Sequence, residues 1–145
     1  MKTDLARILS VSGQHGLFEY VAQARSGAIA ENLESKKRTV FTSSSRVTSL
    51  ADIAIYTAEG EMKLDAVFTA LKDALGGAEA PSPKAAENEL VALFQKAIPT
   101  YDADRFYVSH MRKVVDWYSQ LARFASLDFL TDEEREEQAK AEAGQ

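Results

Sequence analysis

The sequence predicts an α+β fold: a small SH3-like or Sm-like β-barrel or meander with a closing helix, followed by a C-terminal helical hairpin. Three observations lead to this. Short runs rich in β-branched and aromatic residues, broken by Gly and Ser, occupy roughly the first 60 positions of the 145-residue chain. From Leu64 the apolar period changes to that of a helix. A stretch rich in Gly, Pro and small residues, GGAEAPSPKAAEN, then separates this part from a second helical pattern.

The elements follow in order. LARIL either opens as a short helical turn or leads directly into a strand. Gly13 and Gly16 punctuate the loop S-G-Q-H-G. LFEYVAQ reads as a strand, with Leu17, Glu19, Val21 and Gln23 on one face and Phe18, Tyr20 and Ala22 on the other. Arg25-Ser26-Gly27 makes the next turn, and AIAENLES and KKRTVFTS form a hairpin broken near Ser35-Lys36. SRVTSL and DIAIYT are two further short strands, and Glu59-Gly60 is a turn signal.

In LDAVFTALKDALGG, Leu64, Val67, Phe68, Leu71 and Leu75 lie on one helical face, and Gly76-Gly77 terminate it. ENELVALFQKAI carries Leu90, Val91, Phe94 and Ile98 on one stripe, and Pro99 stops it. After the loop YDADRFYV, Ser109 is placed to cap HMRKVVDWYSQLARFAS. The domain plan is a barrel-like domain with its C-terminal helix at 1–76, a linker at 77–84, a helical hairpin at 85–127 and an acidic tail at 128–145.

Composition narrows the function. There is no cysteine, which excludes disulfide scaffolds and Cys₂His₂-type zinc sites and favours a reducing compartment. No apolar run approaches a membrane span, and Asp4 interrupts any signal-like start, so the expected location is cytoplasmic with no membrane partner. The net charge of −5 sits in the tail, where Asp128–Gln145 holds seven acids and two bases. A solvated, helix-prone tail is the expectation there.

The runs LARILSVSGQHGLFEYVAQ, RVTSLADIAIYT and YDADRFYVSHMRKVVDWY carry a family resemblance. I-L-S-V-S-G combined with S-L-x-D-I-A-I-Y-T is its most specific part. The chain resembles an uncharacterised Bacteroidetes-type family of small bacterial proteins, with an N-terminal small β domain and a helical C-terminal domain, both known as domains of unknown function. The likeness covers most of residues 5–122 and leaves out the linker and the tail. It implies the fold and a bacterial cytoplasm, and it carries over no activity.

His15, between glycines, is the ligand-loop candidate, although S-G-Q-H-G fits neither a phosphate loop nor a dinucleotide fingerprint. Asp102 and Asp104 form a D-x-D pair, but Tyr107 and Lys113 stand where an EF-hand loop needs Gly and an acid. The pair therefore reads as a turn cap or a partner of Arg105. The serine run Ser43–Ser45 lacks a nucleophile-elbow context. Two histidines far apart in sequence make no metal site, so no metal and no cofactor are expected.

Lys36, Lys37 and Arg38, with Arg25 and Arg46, are the nucleic-acid-binding candidates, because cations meet phosphates. Trp117, Tyr118 and Phe124 are the protein-interface candidates, because large aromatic side chains anchor interfaces. The expectation is a non-enzymatic protein-binding or adaptor protein with a protein partner or a homo-oligomeric state. The alternative is an RNA- or ribosome-associated accessory protein using the basic hairpin.

Overall fold

Alternating apolar and polar residues in the first third of the chain produce five antiparallel strands. In the computed structural model, residues 3–14, 16–42, 44–130 and 132–143 are described. The strands are β1 (Ile8–Val11), β2 (Leu17–Ala24), β3 (Gly27–Asn32), β4 (Arg38–Phe41) and β5 (Val47–Ser49). They form one sheet in the order β4-β3-β2-β1-β5. The α+β class stands, but the sheet does not close into a barrel. β5 pairs with β1 and not with β4, so these two short strands are left as edges.

Several boundaries differ from the sequence reading for local reasons. LARIL resolves into both of its alternatives. A 3-10 turn, Leu5–Arg7, is capped by the Asp4 carboxylate accepting the Ala6 N–H, and it leads into β1. KKRTVFTS begins as a turn and becomes a strand only at Arg38. Asn32 closes that turn, its Oδ1 accepting the Glu34 and Ser35 N–H groups and its carbonyl accepting from Lys36, which sits at φ 63°. SRVTSL gives β5 and then a 3-10 turn, Leu50–Asp52.

DIAIYT does not join the five-stranded sheet. It forms β6 (Ala54–Thr57), which pairs with a strand the sequence reading missed, β7 (Gly60–Lys63), in a separate hairpin. At Gly27 a side chain is excluded, because a Cβ there would run into the Phe41 carbonyl across the β3–β4 ladder.

The helices are α1 (Leu64–Leu75), α2 (Glu87–Ala97), α3 (Val108–Phe124) and α4 (Asp132–Ala143). Gly76 caps α1 in the left-handed region at φ 60°, donating to the Lys72 carbonyl. Ser109 does not cap α3. The helix starts one residue before it, and the imidazole Nδ1 of His110 accepts the Tyr107 N–H at 3.0 Å. None of the helices is long and apolar enough to cross a membrane among the described residues.

One continuous core joins the sheet to the helices. Ile8, Leu17 and Leu33 from the sheet side meet Val67, Phe68 and Leu71 of α1, Leu90 and Phe94 of α2, and Val115, Tyr118 and Leu121 of α3. Each such buried side chain stabilises the fold by about 1.5–3 kcal/mol in transfer terms. The opposite face of the sheet holds a second, smaller cluster of Leu9, Val11, Phe18, Ala30 and Phe41. Phe18 and Phe41 meet there edge to face at 5.0 Å. This is why adjacent Leu17 and Phe18 are both buried. Past the register shift at Tyr20/Ala22 the alternation of β2 lapses.

The start of the described chain is tied to the segment between α3 and α4. Thr3 is buried, its N–H donates to Asp128, its carbonyl accepts from Leu130, and its hydroxyl donates to the Ser126 carbonyl at 2.9 Å. The tail beyond is helical, as α4.

Candidate functional site

Two segments about 50 residues apart in sequence build a groove. The loop between α2 and α3 is stitched onto the β6 edge: Asp102 N–H donates to the Tyr56 carbonyl at 2.9 Å and Ala58 N–H to Thr100 at 2.8 Å. Asp102 also holds the loop together. Its Oδ1 accepts the Asp104 N–H at 2.9 Å, and its Oδ2 lies 3.7 Å from Arg105 Nε. The D-x-D pair thus serves as turn cap and ion-pair partner. This stitching sets β6 against the first turns of α3 and leaves a groove of about 290 Å³ between them.

The bed of the groove is apolar, from Ile53, Ile55, Leu64 and Val114, with Phe106 and Trp117 along it. Its polar side chains include Arg105, His110 and Lys113. The Arg105 guanidinium lies 4.9 Å from the centre of the Tyr56 ring, a cation–π contact. His110 stacks on Tyr107 at 5.3 Å and on Phe106 at 6.1 Å. Because its Nδ1 accepts the Tyr107 N–H, the neutral ring carries its proton on Nε2. Lys113 is exposed and has no ion-pair partner among the described residues. No carboxylate lines the groove among the described residues.

A second hollow, of about 370 Å³, lies on another side of α3 and has the opposite character. It is bounded by the segment 79–83, by Gly16 and Glu34 of the sheet loops, and by Asp116, Arg123 and Phe124. The Gly/Pro-rich segment is docked there. Arg112 Nη1 donates to the Pro83 carbonyl at 2.7 Å and to the Ala85 carbonyl at 2.9 Å. Gln120 fastens the sheet to the same helix, accepting the Leu17 N–H at 2.7 Å and donating to Asp116 at 3.1 Å.

Residues 5–50 match a domain of unknown function (DUF5606), and residues 53–121 match another (DUF6852). The chain is also similar to a protein from Bacteroides vulgatus whose structure was determined by solution NMR. The two are 38% identical, with a TM-score of 0.68, over 81% of this chain and 84% of the other. This chain belongs to that Bacteroidetes-type family of paired domains. No curated protein matches it. The two family segments meet at the Leu50–Asp52 turn, so every residue lining the groove belongs to the second domain of the family. The polar hollow draws on both domains.

The structure separates the other residues singled out in the sequence. Of the interface candidates, Trp117 lines the groove and Phe124 lines the polar hollow. Tyr118 sits in the core, 6.3 Å from Phe68, where burial pushes its phenol pKa up. Lys36 and Lys37 are exposed at the tip of the β3–β4 turn, while Arg38 pairs across the ladder with Glu31 at 3.6 Å. Arg46 precedes β5 at the same end of the sheet as Lys37, on the other edge. Arg25, in the β2–β3 turn, lies at the opposite end, so the five cations do not form one patch. His15 and Ser43 lie outside the described residues.

Sequence reasoning missed Tyr56, Arg105, His110 and Lys113 as a group. One signal was available: His110, Lys113 and Trp117 recur at i, i+3 and i+7, which places them along one helical face.

Proposed function

We propose that this chain is a non-enzymatic protein-binding module of the bacterial cytoplasm that docks a partner segment in the groove between β6 and α3. One observation carries this reading: an apolar slot holding Trp117 opens to solvent beside the cationic side chains of Arg105 and Lys113 and the imidazole of His110. Apolar centre and polar rim are the anatomy of a protein interface, and tryptophan, tyrosine and arginine are the side chains that most often dominate binding energy. Tyr56 and Tyr107, among the large hydrophobic side chains most exposed on the molecule, stand at the same place.

The test is photocrosslinking inside the bacterium, with a photoreactive residue replacing Tyr56 in the full chain and, as a control, replacing Ala66 on α1. The expected result is a discrete protein adduct from position 56 that position 66 does not give. Trp117→Ala should abolish it, with circular dichroism confirming that the variant is folded. No adduct, or the same adducts from both positions, would remove the groove from consideration.

A second reading, RNA binding, is favoured by Lys36 and Lys37, which the left-handed backbone at Lys36 holds together at a hairpin tip. It requires an affinity for RNA that falls steeply with salt and drops on Lys36→Glu/Lys37→Glu. Salt-independent binding, or unchanged binding by that variant, would end it.

A further inference from the structure

Resting on the protein-docking reading, we infer that the groove selects an acidic segment carrying an apolar anchor side chain. Charge complementarity points to this occupant. The chain as a whole is negative, at −5, yet the charged side chains lining this groove are Arg105 and Lys113, with His110 beside them as a hydrogen-bond donor and no carboxylate among the described residues. A cationic rim on an acidic protein opposes the overall field of the molecule, so it repels basic segments at close range and attracts carboxylates.

The three groups also differ in how they are held. Arg105 is shared with Asp102 and laid on Tyr56, two contacts that orient it. His110 is fixed by its bond from Tyr107, with Nε2 left as the donor. Lys113 is exposed, one helical turn before Trp117, and able to reach a carboxylate flanking whatever fills the slot. The slot accepts one apolar side chain of leucine or phenylalanine size, and the rim accepts acids on either side of it.

The chain's own acidic helix has the charge without the anchor. Between Asp132 and Ala143 the only apolar side chains are alanines. The apolar residues just before it, Phe129 and Leu130, are packed into their own fold, Phe129 at 5.7 Å from Phe68, and are not free to anchor in a second copy; the occupant is a different protein with an acidic, apolar-centred segment.

The molecule contains a reporter for the test, since Trp117 is its single tryptophan and lines the groove. The full chain is titrated with a blocked hexapeptide of glutamates flanking a leucine and a phenylalanine, and in parallel with its lysine counterpart, while Trp117 emission is read. The expected result is a saturable emission change with the glutamate peptide, at least about tenfold weaker with the lysine peptide. Lys113→Glu should narrow or invert that preference, and because Lys113 is exposed the variant stays folded.

Equal binding of both peptides overturns the inference. Absence of any emission change also overturns it, and the in-cell adduct from position 56 then distinguishes the cases. If that adduct persists, protein docking stands with a different ligand chemistry; if it is missing, both readings fall. A single-stranded RNA that displaces the glutamate peptide would assign the groove to nucleic acid and likewise overturn the inference.

Discussion

The two hollows on α3 are built from one helix and differ in almost every respect. The groove beside β6 is apolar, rimmed by cations, and made within the second family domain. The hollow beside the docked segment is lined by Glu34, Glu79, Asp116 and Arg123, and it draws on the sheet loops as well. Three acids and one cation line it, so its lining carries the same sign as the chain as a whole. In the groove Arg105 is paired with Asp102, while Lys113 has no ion-pair partner among the described residues. α3 contributes an aromatic ring to each, Trp117 to one and Phe124 to the other, yet only the first sits in a lining that has cations and no carboxylate among the described residues. Exposure of an aromatic residue on a helix therefore says little about binding until the sign of its surroundings is known.

Substitutions separate the two hollows in graded steps. Phe68→Ala removes a ring from beneath α3, so both hollows should loosen together, with a stability loss of about 3–5 kcal/mol in urea denaturation. Arg112→Ala should release the docked segment and open only the polar hollow. The expected cost is about 2 kcal/mol, with faster amide exchange at residues 78–85 and unchanged Trp117 emission. His110→Ala should do the reverse. It removes the acceptor at the start of α3, costs about 1 kcal/mol, and shifts Trp117 emission while exchange in the docked segment stays the same.

Tyr118→Phe should disturb neither hollow at neutral pH, with a change below about 1.5 kcal/mol. Burial raises this phenol's pKa in the folded chain, so the unfolded chain loses the proton first. The associated stability is fully present below the unfolded value of about 10 and is lost as pH rises above it. Denaturation between neutral and strongly alkaline pH should show that loss in the native protein and a smaller one in Tyr118→Phe.

How much of this was legible in the sequence depends on range. Helix faces were readable because their signals are local: Leu64, Val67, Phe68 and Leu71 recur with the right period, and Gly76 ends α1 where a left-handed cap is needed. Strand membership was less readable. DIAIYT has strand character, but its pairing with Gly60–Lys63, a polar run with weak β-propensity, is decided by the tight turn and by the α2–α3 loop bonded to its other edge. Closure of the sheet depends on whether β4 meets β5, which no periodicity encodes. The site was half legible. Trp117 stood out by type, whereas the approach of Tyr56 to Arg105 comes from two backbone hydrogen bonds between segments that no spacing connects.

The clasp between Thr3 and Ser126 has a consequence in time. The two residues are 123 positions apart, so during synthesis at about 5–20 residues per second Thr3 waits roughly 6–25 s for its partner. Hairpins such as β2–β3 form in microseconds, long before that. The clasp therefore forms long after the first hairpins, and a nascent chain stopped before Ser126 leaves the Thr3 hydroxyl without that partner.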